Sequence, residues 1–196
     1  MEVINISDSD FLRLYHKVFS DISEPDLEDI LIVGIAHGGL PLMDGLIEYL
    51  LNNKIVVDKA QVVCQRPSTA LKKENHILSF MFNATLKSLP YLVLDKMRVF
   101  EHKRLSKRSA GQVKRTVKWK VKPKKNEYKK IIIIDDAIDS GYSFKLVDEF
   151  VKHNLSFGSL YSTVAVVTQK EPLYKPTFTL FSDVLIRFPW SSDAKK

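Results

Sequence analysis

Four consecutive isoleucines, Ile131 to Ile134, stand in front of Asp135-Asp136-Ala137-Ile138-Asp139-Ser140-Gly141-Tyr142-Ser143. An unalternating run of β-branched apolar residues reads as a strand buried on both faces, as in a parallel sheet. Two carboxylates follow at its C-terminal end, then a short polar loop with a glycine. The apolar-periodic run Phe144 to Val151 comes next and predicts a helix. Strand, Ser/Gly turn and helix N-terminus together make an anion cradle, because backbone N–H groups and the helix dipole point at one spot. Ser140, Tyr142 and Ser143 add hydroxyl donors to it. The two acids cannot bind a phosphate, but they can accept hydrogen bonds from sugar hydroxyls or hold Mg²⁺ through water. The stretch therefore predicts a site for a sugar phosphate, with phosphate in the loop and hydroxyls on the acids. Acids that merely cap the next helix would account for one carboxylate and leave three at this spacing unexplained.

Gly34-Ile35-Ala36-His37-Gly38-Gly39-Leu40-Pro41-Leu42 is a second strand–loop–helix junction. Its strand is Ile30 to Ile35, and its helix is predicted from Pro41 to Leu51, with proline in the first turn where no N–H is needed. Gly38 and Gly39 allow backbone amides to approach a ligand closely, or allow a tight turn into a core helix.

The thirteen positions from Ile131 to Ser143 resemble the 5-phosphoribosyl 1-pyrophosphate (PRPP) binding motif of the type I phosphoribosyltransferases. That motif is an apolar strand, two acids, two mostly apolar residues, an acid, Ser or Thr, Gly, any residue, and Ser or Thr. The segment Ala36 to Gly39 resembles the family's pyrophosphate loop, in which the peptide bond before the basic residue is often cis; here that bond is Ala36–His37. His37 stands where the family has Arg or Lys, and a neutral imidazole offers one donor where Arg offers several. Near the C-terminus, Leu185-Ile186-Arg187-Phe188-Pro189-Trp190 resembles the xanthine/guanine/hypoxanthine branch, in which an aromatic residue stacks on the base shortly before Phe-Pro-Trp. Leu185 occupies the stacking position, with Ile186 beside it. Lys170 follows the apolar stretch Tyr161 to Thr168 and matches the lysine that contacts the exocyclic oxygen of a 6-oxopurine; a solvated strand-end lysine is the alternative.

The resemblance implies an α/β fold, a Rossmann-like parallel sheet flanked by helices, with a hood and a helical insertion. It implies transfer of ribose 5-phosphate from PRPP to a nitrogenous base, with Mg²⁺ as cofactor and pyrophosphate as product. Asp139 would be the catalytic acid or base, and Asp135 and Asp136 would hold the ribose hydroxyls and, indirectly through them or through water, the metal. Ser140, Gly141, Tyr142 and Ser143 would bind the 5′-phosphate, Ala36, His37, Gly38 and Gly39 the pyrophosphate, and Lys170, Leu185 and Ile186 the base.

The 196 residues suffice for one domain, 1–196, with residues 66–128 as an insertion within it. Two apolar faces, one from Ile77 to Leu89 and one from Leu92 to Leu105, predict a helical hairpin suited to pack on itself or on a second copy in a homodimer. Charge is concentrated there. Residues 103 to 130 contain 13 Lys or Arg and a single acid, whereas the rest of the chain is net acidic. Val117, Trp119 and Val121 alternate with Lys118, Lys120 and Lys122, which predicts a strand with one cationic face. That basic segment reads as a solvated surface, as a lid over the phosphates through Lys103, Arg104, Lys107 or Arg108, or as a nucleic-acid surface. The last option belongs to a rival view of the chain, a non-enzymatic regulator of the same fold that senses PRPP or a nucleotide.

Further expectations are a helix starting at Ser7-Asp8-Ser9-Asp10, a strand at Ala60 to Gln65, and a last strand within Thr177 to Phe188. The N-terminus lacks the basic and apolar regions of a signal peptide, and no apolar stretch is long enough to span a bilayer. With Cys64 the single cysteine, the expected setting is a reducing one, the cytoplasm.

Overall fold

The computed structural model describes residues 1–22, 28–65, 90, 93–100, 115–191 and 194. Its elements in chain order are β1 (Val3–Asn5), α1 (Asp8–Ile22), β2 (Ile30–Ala36), α2 (Gly39–Asn52) and β3 (Val57–Gln65). A helical segment at 93–100, here α3, comes next. Then follow β4 (Thr116–Val121), β5 (Glu127–Ile138), α4 (Tyr142–Asn154), β6 (Ser156–Val167), β7 (Phe178–Ser182) and β8 (Leu185–Arg187).

Six strands form the main sheet in the order β4-β3-β2-β5-β6-β7, and β1 and β8 form a separate two-stranded ribbon. Every pairing in the main sheet is parallel except β4 on β3, so the sheet is parallel with one antiparallel edge strand. This is the expected α/β architecture. The isoleucine run lies at its centre, between β2 and β6, and all four side chains are fully buried. Successive residues of β5 face opposite layers. Ile132 and Ile134 pack with α1 and α2 residues such as Leu14, Val18, Leu42 and Leu46. Ile131 and Ile133 pack with Phe144, Val147 and Val151 of α4.

Local sequence sets the element ends. Ser7 Oγ accepts the Asp10 N–H at 3.3 Å and Asp10 Oδ2 accepts the Ser7 N–H at 3.0 Å, a reciprocal cap that starts α1. On β4, Val117 and Trp119 pack on the α4 layer, Trp119 against Phe150 at 5.1 Å between ring centroids, while Lys118 and Lys120 face outward. The predicted one-sided cationic strand is thus the sheet's edge, where charge discourages further strand pairing.

Several expectations need correcting. Strand β5 does not end before the acids: it continues through Asp135 and Asp136 to Ile138, held by β6 partners Val164, Val166 and Val167. The acids therefore sit within the last residues of the strand, and both carboxylates lie against the glycines that follow β2. The segment 177–188 makes two strands in two different sheets, because Asp183, at φ 61°, turns the chain out of the main sheet. Helix α3 buries Leu94 and exposes Val93, Met97 and Phe100, the face expected to meet the other half of the hairpin or a second copy. Polar links also attach the helix: Asp95 to Arg187 at 2.5 Å, and Arg98 Nη1 to the Ile186 carbonyl at 2.7 Å. The Ile77–Leu89 face and Lys103, Arg104, Lys107 and Arg108 lie outside the described residues. Among the described residues, no helix is long and apolar enough to cross a membrane.

Candidate active site

Two loops meet at the carboxyl ends of β2 and β5. The first joins β5 to α4. Gly141 closes β5's turn at φ 78°, and a Cβ there would lie 2.6 Å from the Tyr174 amide nitrogen, so conformation and space both require glycine. Helix α4 begins with no side-chain cap and no acid in its first turn. Its leading N–H groups thus remain turned toward the loop. The turn is braced from behind, where the Ser140 carbonyl accepts the Leu173 N–H at 2.8 Å and Phe144 stacks on Tyr174 at 4.7 Å.

The second loop joins β2 to α2. The Ala36–His37 peptide bond is cis, as the resemblance implies. His37 is exposed, and its carbonyl accepts the Leu40 N–H. Gly38 and Gly39 lie flat against the end of β5. A Cβ on Gly38 would sit 2.4 Å from both oxygens of the Asp136 carboxylate, and one on Gly39 would sit 2.5 Å from the Ile134 carbonyl. No side chain fits at either position, and the two loops converge on the acid pair.

The acids are electrostatically tense. Removal from water pushes the Asp135 carboxyl well above its ordinary range, and the adjacent Asp136 charge adds to this. Asp136 is also raised by burial, and hydrogen bonds from Asp135, neighbouring backbone and the Trp190 indole pull the other way. Asp135 Oδ1 accepts the Asp136 N–H at 2.9 Å. Among the described residues, neither carboxylate pairs with a cation, and no group of three or more His, Cys, Asp or Glu side chains converges. Two partly desolvated carboxylates without a cation fit a hard divalent ion such as Mg²⁺, which keeps waters and takes ligand oxygens for the rest of its shell.

Asp139 is exposed and accepts the Thr168 hydroxyl at 2.5 Å. Ser140, Tyr142 and Ser143 are half-buried around the cradle. The three residues expected to meet a base are more scattered. Lys170 is 82% exposed and lies 3.7 Å from Asp183. Leu185 and Ile186 are buried in the β1–β8 ribbon, with Ile186 in the core beside α1.

Two contributors, Thr168 and Arg115, carry no sequence expectation, and a third, Trp190, reads in the sequence as either core or pocket wall. Thr168 orients Asp139 from the end of β6. Trp190, stacked on Phe188 and Phe11 at 5.0 and 5.5 Å, reaches Asp136. Arg115, just before β4, donates to the Ser143 hydroxyl and lies 5.4 Å above the Tyr142 ring. Position at the carboxyl edge of the sheet was the available signal for Thr168; Arg115 had none within the basic run.

A cavity of about 620 Å³ lies at the opposite, amino edge of the sheet, lined by residues including Asn53, Val57 and Tyr128. Lysines on its wall already pair with acids there, Lys124 with Asp58 at 2.8 Å and Lys125 with Asp29. It is remote from the acid pair and glycine loops.

No protein-family model and no curated protein matches the chain. Solved structures do. A purine phosphoribosyltransferase from Pyrococcus horikoshii is 16% identical, with a TM-score of 0.57 over 97% of this chain and 94% of that one. A hypothetical protein from Neisseria gonorrhoeae with bound ppGpp is 15% identical, with a TM-score of 0.54 over 96% and 89%. A hypoxanthine-guanine phosphoribosyltransferase from Bacillus anthracis is 12% identical, with a TM-score of 0.53 over 93% and 84%. At these identities the likeness is one of fold: the chain has the architecture of the phosphoribosyltransferases.

Proposed function

We propose that this chain is a Mg²⁺-dependent phosphoribosyltransferase that transfers ribose 5-phosphate from PRPP to a ring nitrogen of a base, a purine in preference, and releases pyrophosphate. The observation that carries the reading is the contact of Gly38 with the Asp136 carboxylate, which brings a backbone-lined loop and a partly desolvated acid pair to one locus.

In this reading the α4 N-terminus, with Ser140, Gly141, Tyr142 and Ser143, holds the 5′-phosphate. Asp135 and Asp136 accept hydrogen bonds from the ribose hydroxyls, and the segment Ala36–Gly39 holds pyrophosphate. Bound Mg²⁺, held by Asp135 and Asp136 through water or ribose oxygens, supplies positive charge for the leaving group. The C1–oxygen bond to pyrophosphate breaks with its electron pair leaving on oxygen, and the base nitrogen's pair forms the new C1–N bond. The ring N–H proton passes to the Asp139 carboxylate, which Thr168 holds in place. Catalysis is then mainly positioning and charge stabilisation of a ribosyl cation. Lys170, Leu185 and Ile186 belong to base recognition; Lys170 would have to leave Asp183 to take part.

Pyrophosphate release by purified protein with PRPP, Mg²⁺ and, in turn, hypoxanthine, guanine, xanthine, adenine and orotate tests the reading. Release with a purine is the expected result. No release with any base, together with no PRPP binding, removes it.

A second reading, a nucleotide-sensing regulator, draws support from the ppGpp bound to the Neisseria gonorrhoeae neighbour and from an exposed His37 in place of a basic side chain. Here the outward lysines of β4, Lys118 and Lys120, with Lys122 beyond, would meet nucleic acid. RNA or DNA binding that falls steeply with salt and disappears when these three are neutralised is its signature.

A further inference from the structure

Arg115 stands outside the thirteen-residue motif and belongs to the chain that re-enters the sheet at β4. It is half-buried and donates through Nη1 to the Ser143 hydroxyl, in the first turn of α4. Its guanidinium also lies 5.4 Å above the ring of Tyr142, the first residue of that helix. Antiparallel pairing of β4 with β3, with Thr116 opposite Gln65, fixes its position beside Cys64 and the cradle.

A cation packed against a helix N-terminus is an unfavourable juxtaposition, since the positive end of the dipole and the guanidinium repel each other. The Tyr142 ring face attracts the cation. An anion held between the two would turn this repulsion into two attractions. A guanidinium presents forked donors suited to phosphate oxygens, while the helix end presents backbone N–H groups. Ser143 couples the two halves.

We propose that Arg115 is a direct ligand of the sugar's phosphate, so that the phosphate is gripped from two sides, by the α4 turn and by the β4 edge strand. The inference rests on the phosphoribosyl reading of the cradle. It adds a cation to the amides and hydroxyls of the subsite.

Calorimetric titration with two probes, ribose 5-phosphate and inorganic pyrophosphate, on wild type, Arg115→Gln and Arg115→Lys tests it. Loss of a charge-assisted contact predicts ribose 5-phosphate binding weaker by about tenfold or more in Arg115→Gln, with part of the loss recovered in Arg115→Lys. Pyrophosphate, expected at Ala36–Gly39, should bind both variants as it binds wild type. Undiminished ribose 5-phosphate binding by Arg115→Gln overturns the role of Arg115 and leaves the cradle intact. Equal weakening of both probes overturns it too, by showing that Arg115 only supports the fold. Wild type that binds neither ribose 5-phosphate nor PRPP overturns the cradle reading and Arg115 with it.

Discussion

The Gly38 backbone lies so close to the Asp136 carboxylate that a single added carbon would sit 2.4 Å from each oxygen. Backbone conformation is not the reason for the glycine, since its φ of −63° suits any residue. Space is the reason. Gly38→Ala must displace either the loop or the acid, and overpacking of this kind costs about 1–3 kcal/mol. The variant should remain folded, with a melting temperature lower by about 2–12 °C for a chain of this size. Affinity for PRPP should fall by at least about tenfold, because both partners of the contact belong to the proposed site. Paired thermal melts and titrations check this; unchanged PRPP affinity with a normal melt would contradict it.

The acid pair makes a pH-dependent prediction. The folded-state pKa of Asp135 lies well above the usual range, first through burial and then through Asp136. The stability that protonation lends is therefore fully present below the unfolded carboxylate value of about 4 and is lost as pH rises through the raised folded value. Holding this carboxyl out of water beside Asp136 therefore costs the ligand-free fold stability at neutral pH. Asp135→Asn should melt higher than wild type at pH 7, and the difference should shrink on acidification. Added Mg²⁺ with PRPP should raise the wild-type melting temperature and leave the variant's nearly unmoved. Melts of both proteins from pH 4 to 8 decide it; a variant less stable than wild type at pH 7 would contradict the electrostatic account.

A second charged contact works in the stabilising direction. Arg187 is only 5% exposed and is held by Asp95 at 2.5 Å and by Asn5 Oδ1 at 2.9 Å, which ties α3 to both strands of the ribbon. Removing one partner of a fully buried pair typically costs 3–5 kcal/mol, but Asp95 is a third exposed, so Asp95→Ala should cost about 1–3 kcal/mol. Since Arg98 reaches the Ile186 carbonyl from the same helix, loosening α3 should also raise the KM for the base more than that for PRPP. Denaturant melts and steady-state kinetics with each substrate varied in turn measure both effects. Equal changes in the two KM values would separate α3 from base recognition.

The elements that were legible in the sequence are those whose signal is local. Ile131 to Ile134 declare a doubly buried strand because both faces need covering, and Gly38-Gly39 and Asp139–Ser143 declare loop-to-helix junctions because turns and amide approaches need those residues. Alternation on β4 predicted its two faces. The ribbon was invisible for a physical reason: Val3–Asn5 and Leu185–Arg187 are three residues each and find each other from opposite ends of the chain, so no window contains the pattern. The end of β5 is not legible in the sequence because carboxylates seldom belong to strand interiors, and partners on β6 keep Asp135 and Asp136 extended. Arg115 was indistinguishable from twelve other cations in 103–130, and only the β3–β4 pairing singles it out.

Cys64, at the end of β3, offers a chemical readout of this corner that needs no substrate. Burial pushes its thiol above the ordinary value, while the Arg115 charge and a hydrogen bond from Ser143 act against that shift. Thiolate is the reactive form, so alkylation by iodoacetamide at pH 7.5 should be slower than for an exposed cysteine peptide, and it should rise steeply as pH increases. Arg115→Gln removes the opposing cation, so the thiol should move higher still and alkylation at a fixed pH of about 8 should slow further. Ribose 5-phosphate bound against Ser143 should protect Cys64 in wild type, because the label would crowd the same hydroxyl. Rates followed by mass spectrometry from pH 6.5 to 9.5 give all three comparisons. Faster alkylation in Arg115→Gln would show that the guanidinium shields the thiol more than it charges it, and would contradict the electrostatic picture of the cradle.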